Sequence, residues 1–127
     1  MRIDSCKIEL FQNISQFDFD KINYDFHNDF ECVKVKFNNS VLILLFKNIV
    51  DNFLVSLSFQ KTTLTFCEFE FKETLESLTI DNLYRGKFES DGKLIEFDNN
   101  RGYFYLEFYE GQKIEFWCES IIVEKEW

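Results

Sequence analysis

Bulky apolar residues occupy every second position along much of the last third of the chain, and this alternation is the strongest constraint on the fold. In FYLEFYEGQKIEFWC, residues 104–118, Phe104, Leu106 and Phe108 alternate with Tyr and Glu. Successive side chains of a β-strand point to opposite faces, so the pattern predicts strands with one buried face. The chain has 17 Phe and no Ala, the strongest helix former, which also favours strands. Because 127 residues suffice for one well-filled core, we predict a single all-β domain over residues 1–127, either a β-sandwich or a strongly bent antiparallel sheet.

Turn signals divide residues 83–119 into a predicted four-strand antiparallel meander. Asp91-Gly92 is a strong two-residue hairpin signal, since both residues tolerate a positive φ. Counting outward from this turn sets Phe88 opposite Ile95 and continues one ladder as far as Arg85 opposite Asp98. Apolar residues then meet apolar residues and opposite charges meet, which favours this register.

A three-residue loop at residues 110–112 is predicted between the last two strands. It matches Leu106 with Phe116 and keeps the apolar residues on one face, whereas a two-residue loop would mix the faces. The same register sets Glu107 directly opposite Glu115. Such a like-charge pair costs stability unless a cationic group binds there.

The first two thirds of the chain carry weaker signals. A hairpin is predicted at Asn38-Asn39. Its second strand, VLILLF at 41–46, is apolar on both faces, so we expect it at the centre of a sheet and covered from both sides. Residues 72–78 are the one segment predicted to be helical.

Two interruptions of the apolar alternation predict irregular strands. The apolar phase slips by one residue between Cys32 and Val33, and again between Phe66 and Cys67. A slip of this kind indicates a β-bulge or a switch between sheets.

The predicted meander has two faces of different character. The face expected in the core carries Tyr84, Phe88, Ile95, Phe97, Phe104, Leu106, Phe108, Ile114, Phe116 and Cys118. The opposite face carries the candidate partner-binding residues Glu96, Tyr103, Tyr105, Glu107, Tyr109, Glu115 and Trp117. Tyr and Trp are enriched in binding hot spots, and carboxylates among them suit Lys or Arg of a partner. The alternative is an ordinary amphipathic surface that the N-terminal segment 11–21 partly covers.

The charge of the chain narrows the class of partner. Fourteen Lys and Arg against 23 Asp and Glu give a formal net charge of −9. Such a chain repels phosphate groups, so neither nucleic acid nor an anionic membrane is expected as a direct ligand. A basic protein partner is attracted instead. The N-terminus has no apolar stretch typical of a signal peptide, so we expect a cytoplasmic protein whose four cysteines are reduced and buried.

No set of catalytic or metal-binding residues is evident, so we predict a protein that is not an enzyme and has no cofactor. His27 is the sole histidine, and the four cysteines include no C-x-x-C pair. Glu107 and Glu115 could in principle form a glycosidase acid/base pair, but no cleft is predicted that would raise one pKa. A second binding function is open, that of a small barrel-like protein enclosing an apolar ligand. Bulky rings argue against it, since they fill an interior.

Two stretches and the acidic all-β character together give the chain a family resemblance. The stretches are VLILLFKNI, residues 41–49, and RGYFYLEFYEGQKIEFWCESI, residues 101–121. With them the chain resembles the small acidic all-β immunity proteins that bacteria encode beside contact-dependent or polymorphic toxins. The resemblance implies a cytoplasmic, non-catalytic binder that occludes the active site of a cognate toxin, often a basic nuclease. It carries over no functional residue.

Overall fold

Fourteen β-strands and one short 3₁₀ turn make up the protein in the computed structural model, which describes residues 1–19, 21–71 and 77–126. The strands are Arg2–Asp4 (β1), Gln16–Phe19 (β2), Ile22–Asp25 (β3), Phe30–Asn38 (β4), Val41–Asn48 (β5), Leu54–Gln60 (β6), Thr63–Glu68 (β7), Ile80–Gly86 (β8), Phe88–Ser90 (β9), Lys93–Ile95 (β10), Phe97–Asp98 (β11), Arg101–Phe108 (β12), Lys113–Cys118 (β13) and Ser120–Glu126 (β14). The all-β prediction is therefore confirmed. The segment predicted to be helical, 72–78, lies outside the described residues except for its last two positions.

The strands form two open five-stranded sheets that share one hydrophobic core. Sheet I has the order β1-β14-β6-β5-β4. In sheet II, β7, β13 and β12 follow one another, and the far edge of β12 is shared by β8 and β11. Two small hairpins, β2-β3 and β9-β10, lie outside these sheets. The architecture matches the predicted sandwich or bent sheet.

Two short connections between sheet I and sheet II lie side by side at one corner of the fold. β6 continues into β7 through Lys61 and Thr62, and β13 continues into β14 through Glu119. Lys61 has a φ of 51°, which turns the chain, and its ammonium lies 3.1 Å from the Glu119 carboxylate. Thr62 donates its hydroxyl hydrogen to the Phe59 carbonyl at 2.8 Å. The two sheets are thus joined along one side and enclose the core between them.

Aromatic rings fill much of the space between the sheets. Phe59 of β6 lies 4.9 Å from Phe116 of β13 and 6.4 Å from Phe104 of β12, measured between ring centroids. A second aromatic group joins the β2-β3 hairpin to sheet I, where Tyr24 of β3 lies 5.9 Å from Phe30 of β4 and Phe26, the residue after β3, lies 4.5 Å from Phe46 of β5. Each buried ring removes on the order of 150–250 Å² from water, so these contacts supply much of the stabilising free energy.

The predicted hairpin between β4 and β5 is confirmed, with its turn one residue later than expected. Asn38 pairs with Val41, so Asn39 and Ser40 form the turn, at φ values of 52° and 62°. β5 lies between β4 and β6, as predicted. The expectation that both of its faces are covered is wrong, because outward residues such as Ile43 are only half-buried.

Both predicted strand irregularities occur. The pairing of β4 skips Val33, which confirms the bulge next to Cys32. In β7 the bulge lies at Thr65, one residue before the predicted place, because Phe66 pairs with Glu115 while Leu64 pairs with the next residue of β13.

The hairpin at Asp91-Gly92 forms in the predicted register but leaves the sheet. β9 and β10 pair Phe88 with Ile95, and the two turn residues take φ values of 51° and 75°. The ladder stops at this pair, so residues 88–95 project from sheet II as a separate two-stranded hairpin. We call these residues the flap.

The strands on either side of the flap pair with β12 and not with each other. Gly86 lies opposite Tyr103, and β11 occupies the next stretch of the same edge of β12. The predicted pair of Arg85 with Asp98 is therefore wrong. Four residues that were assigned to the core do not lie in it: Tyr84, Phe88, Ile95 and Phe97.

The loop between β12 and β13 has three residues, as predicted, but they are 109–111 and not 110–112. Phe104 faces Phe116, so the core face is kept while every cross-strand pair shifts by two residues. Glu107 consequently faces Lys113. The predicted like-charge pair of Glu107 with Glu115 is wrong.

The buried cation Arg85 ties three parts of the chain together. Its side chain is 4% exposed, and its Nη2 donates to Glu96 Oε1 at 2.7 Å, next to the base of the flap. Its Nη1 donates to the Ile8 carbonyl at 2.5 Å, which holds the N-terminal segment. The guanidinium also lies 4.6 Å from the centroid of the Phe97 ring. A buried charge is costly unless it is paired, so these partners fix the segment and the flap at one place.

Replacing Arg85 by Met should loosen the flap while keeping most of the buried volume. We expect the free energy of unfolding to fall by about 1–3 kcal/mol, since the Ile8 carbonyl loses its donor. In a Trp127→Phe background, fluorescence of Trp117 should shift to the red and become more sensitive to a collisional quencher. Lys61→Gln, which removes an exposed ion pair, is the matched control and should cost less than about 1 kcal/mol. Equal effects of the two substitutions would contradict the clamping role of Arg85.

Candidate protein-binding face

The outer face of sheet II, which points away from the core, carries the residues predicted to meet a partner. Part of it is covered by the flap, because Phe88 lies 5.2 Å from Tyr103 and 5.7 Å from Trp117 between ring centroids. Tyr103 is 1% exposed and Trp117 is 5% exposed. These two candidate contact residues form a floor beneath the flap, and their predicted role in binding stays a prediction. Of the N-terminal segment 11–21, the cover considered from the sequence, residues 11–14 run along the edge of β8 instead, and residues 16–19 form β2, which pairs with β3.

The hydroxyl of Tyr103 is held by hydrogen bonds within this floor. It donates to Glu115 Oε1 at 2.9 Å and shares a hydrogen bond with Thr65 Oγ1 at 2.5 Å. Burial, together with the nearby Glu115 carboxylate, raises the pKa of Tyr103 well above its ordinary value, so the phenol stays protonated. Glu115 therefore serves both as a structural acceptor and as a negative charge beside the floor.

Two tyrosines stack in the open part of the outer face. Tyr105 faces Tyr84 across β12 and β8, with ring centroids 5.0 Å apart and planes inclined by 14°. The Tyr105 ring lies across the backbone of Gly86, where an added Cβ would come within 2.3 Å of Tyr105 Cε2. The Tyr105 hydroxyl donates to the Lys87 carbonyl at 2.7 Å. Both tyrosines are half-buried, so part of the stacked pair stays open to solvent.

Three carboxylates contribute negative charge at the tyrosine pair. Glu115 lies directly opposite Tyr105 on β13. Burial raises the pKa of Tyr84, and the negative charges of Glu107 and Glu115 raise it further. Burial likewise raises the pKa of Tyr105, with added effects of Glu115 and of Glu89 on the flap. We call Tyr84, Tyr105, Glu89, Glu107 and Glu115 the acidic tyrosine patch.

The patch contains a shallow depression that can receive a side chain. Its open volume is about 170 Å³, and it lies between β12 and β13. The residues that line it are Tyr105, Leu106, Glu107, Lys113 and Glu115. Lys113 faces Glu107, so the cross-strand pair neutralises part of the charge. The Glu115 carboxylate keeps the depression acidic.

Three of the seven residues predicted for this face come together in the patch: Tyr105, Glu107 and Glu115. Glu96 lies apart from them, because its carboxylate pairs with Arg85. Tyr109 is 75% exposed in the loop after β12. The part played by each in binding stays a prediction.

Two residues of the patch were not found from the sequence. The sequence places Tyr84 in the core, because the predicted register pairs residues 85–88 with residues 95–98 in one continuous ladder. Pairing β8 directly with β12 sets Tyr84 opposite Tyr105 and moves it to the outer face. Glu89 had no predicted role, since only the folding of the flap over the sheet brings it near Tyr105. A local pattern gives no signal for either contact.

The sole histidine has a structural setting at the turn after β3. His27 Nδ1 lies 2.6 Å from the Ile80 carbonyl, and the Asp25 carboxylate accepts hydrogen bonds from the backbone amides of His27 and Asn28. Within residues 1–19, 21–71 and 77–126, no group of three or more His, Cys, Asp or Glu side chains could hold a metal ion. The same residues contain no helix long and apolar enough to cross a bilayer.

The cysteines differ in exposure, contrary to the expectation that all are buried. Cys6 and Cys67 are exposed, Cys32 and Cys118 are buried, and all four are free thiols. Burial raises the pKa of Cys32 to about 12 and that of Cys118 well above its ordinary value. The two buried thiols are therefore poor nucleophiles.

Labelling with a thiol reagent at pH 8 should divide the cysteines into two classes. We expect two thiols per chain to react rapidly in the native protein and four after unfolding, because only Cys6 and Cys67 are exposed. The double substitution Cys6→Ser with Cys67→Ser is the control and should abolish the rapid phase. Rapid reaction of all four native thiols would contradict the burial described for Cys32 and Cys118.

Substituting Gly86 by Ala should displace Tyr105 and break its stack with Tyr84, because the new Cβ overlaps the Tyr105 ring. Overpacking of this kind costs about 1–3 kcal/mol, which chemical denaturation can measure. In a Tyr105→Ala background the same substitution should cost much less, since the obstructing ring is gone. Additive effects of the two substitutions would contradict the close contact.

Comparison with known proteins found no relative of this chain. No protein-family model matches the chain, and no curated protein or solved structure is significantly similar to it. The residues and geometry described above are therefore the sole basis for a functional proposal.

Proposed function

We propose that this chain is a non-catalytic protein that binds and neutralises a basic protein toxin, in the manner of bacterial immunity proteins. The observation that carries the proposal is the partly exposed acidic tyrosine patch, in which two stacked rings lie within the negative charge of three carboxylates. Its ligand would be a Lys or Arg side chain of the toxin. Inhibition would follow from occupation of the toxin's active site and would be stoichiometric.

The chemistry of the patch suits a guanidinium or ammonium group. A cation over the face of a tyrosine ring is attracted by the ring quadrupole. Carboxylates beside the ring can accept charge-assisted hydrogen bonds from the same cation. Tyr105 and Glu115 lie opposite each other in the ladder, so one arginine could contact both. Arginine in particular presents its donors in a plane that stacks on a ring and pairs with a carboxylate.

An apolar residue beside the patch would help to exclude water from the contact. Leu94 is 65% exposed and lies directly opposite Glu89 in the flap. Opposite residues of an antiparallel pair share one face, so Leu94 adjoins the Glu89 carboxylate, whose negative charge acts on Tyr105. The pairing of charged groups becomes stronger where neighbouring apolar groups exclude water.

The charge of the whole chain adds a long-range component to the proposal. A net charge of −9 attracts a basic partner and accelerates its association. Toxins that act on nucleic acid use Lys and Arg to bind phosphate, and those same residues would pair with the patch. The proposal places the protein in the cytoplasm, where its free thiols would stay reduced.

A charge-removal experiment on the patch tests the proposal, with a protein encoded in a neighbouring reading frame as the candidate partner. Glu107→Gln with Glu115→Gln should weaken the complex at least about tenfold by titration calorimetry, because close charge pairs are lost. Glutamine at 115 keeps an acceptor for Tyr103, so the free energy of unfolding should change by less than about 1 kcal/mol. The matched control is Glu31→Gln with Glu124→Gln, two exposed positions on sheet I. It makes the same change in net charge and should alter affinity less than about twofold.

Comparison of the two double variants distinguishes binding at the patch from an effect of net charge alone. Equal weakening by the two double variants would show that only overall charge matters, and an unchanged complex would place the interface elsewhere. The association rate should also fall as NaCl is raised from about 0.05 to 0.5 M, because salt screens the attraction. Failure to form any complex with the neighbouring protein would overturn the proposed neutralisation of that partner.

A further inference from the structure

A small apolar cavity lies between sheet I and the N-terminal segment, away from the acidic tyrosine patch. Its volume is about 130 Å³. The residues that line it are Ile3, Lys7, Ile8, Gln12, Ile14, Phe17, Leu57, Ile121 and Val123. Seven of these nine side chains are apolar, and the two polar ones, Lys7 and Gln12, are both exposed. The cavity is therefore an apolar chamber with polar groups at its opening.

The floor of the cavity belongs to the rigid part of the fold. Leu57 lies on β6, and Ile121 and Val123 lie on the neighbouring strand β14, where Leu57 pairs with Val123. All three are at most 1% exposed. The ladder of sheet I and contacts within the core hold them in place at the base of the cavity.

The roof of the cavity is an arch, residues 8–15, that is held away from the floor by hydrogen bonds to β8. The Phe11 amide donates to the Arg85 carbonyl at 2.7 Å, and the Ile14 amide donates to the Leu83 carbonyl at 2.7 Å. The Arg85 guanidinium donates to the Ile8 carbonyl near the beginning of the arch. Lowering the arch onto the floor would break these bonds and leave buried polar groups unpaired. The cavity is thus held open by directional bonds on both sides.

An apolar cavity of this kind gains contacts when an apolar molecule enters it. Side chains around an unfilled space lose dispersion contacts on that side, and a ligand restores them. An engineered apolar cavity of about 150 Å³ binds benzene, so the present volume suits about six carbon atoms. The aromatic rings of the core fill the space between the two sheets. The cavity lies between sheet I and the arch, and these rings do not fill it.

The opening of the cavity determines which end group the ligand carries. Lys7 is the one charged residue among those that line the cavity. Its ammonium can pair with a carboxylate at the opening, while Gln12 can donate from its amide group. The Gln12 side-chain oxygen is engaged by the Glu9 amide, which leaves the NH₂ group as the available half of the side chain. Both polar groups at the opening are therefore donors and favour an anionic acceptor.

We propose that this cavity binds a small monocarboxylate of about six carbon atoms in all, its carboxylate at Lys7 and its chain beneath the arch. The site is distinct from the acidic tyrosine patch and does not depend on the function proposed for it. It also differs from the barrel-type ligand site considered from the sequence, because the chamber lies between one sheet and the arch.

Methyl-resolved NMR of the full chain tests the site without any substitution. Sodium hexanoate, added to protein labelled at the isoleucine δ-methyl groups in about 0.15 M NaCl, should shift the signals of Ile3, Ile8, Ile14 and Ile121 in a saturable way. A Kd on the order of 1 mM is expected for a ligand of this size. The methyl groups of Ile43 and Ile114 serve as internal controls and should not shift. Absence of saturable shifts at the four cavity methyls would overturn the proposal.

Ligand charge and cavity volume can then be varied separately. Hexylamine should bind at least about threefold more weakly than hexanoate, and Lys7→Gln should weaken hexanoate about two- to fivefold while leaving hexanol unchanged. Ile121→Phe fills the chamber and should abolish the shifts produced by all three probes. Equal affinity for hexanoate and hexylamine would overturn the assigned carboxylate. Undiminished binding to a folded Ile121→Phe variant would overturn the location.

Discussion

The pairing of Arg85 is the interaction on which both candidate surfaces depend. A guanidinium that is 4% exposed must have partners, and its partners come from the N-terminal segment and from the residue that follows the flap. The contact with Ile8 holds the arch above the cavity, and the contact with Glu96 holds the flap close to the sheet. Phe88 of the flap then covers Tyr103 and Trp117. One buried cation therefore shapes an apolar chamber on one side and a divided aromatic face on the other.

The flap covers one part of the outer face of sheet II and leaves another part open. The same residue types can therefore serve stability in the covered part and binding in the open part. Tyr and Trp have large apolar rings with a polar edge, so they pack well when covered and remain compatible with water when exposed. Beneath the flap this chemistry packs the flap against sheet II, with the Tyr103 hydroxyl satisfied by Glu115. Beyond the flap, Tyr84 and Tyr105 remain partly open and stand among carboxylates. Glu115 belongs to both regions, which is why a change at this position must preserve its acceptor while removing its charge.

Local sequence signals predicted local structure well and long-range pairing poorly. The Asp91-Gly92 turn, the bulge beside Cys32 and the length of the loop after β12 all depend on a few neighbouring residues, and all three are present. The wrong predictions concern which strands and which residues pair with one another. Shifting a strand pair by two residues keeps every apolar side chain on the same face, so face matching could not separate the predicted register from the observed one. The observed shift moved Lys113 opposite Glu107.

The sequence by itself determined the all-β class, the buried face of β12 and β13, the turn of the flap and the acidity of the surface. Alternation with a period of two fixes the direction of each side chain, and charge depends on composition alone. Only the tertiary structure decided that β8 lies beside β12, that the flap covers Trp117 and that Tyr84 joins Tyr105 and Glu89 in one patch. It also decided that a cavity remains under the arch. The choice of strand neighbours depends on total burial and on the pairing of Arg85, and those contacts join residues far apart in the chain.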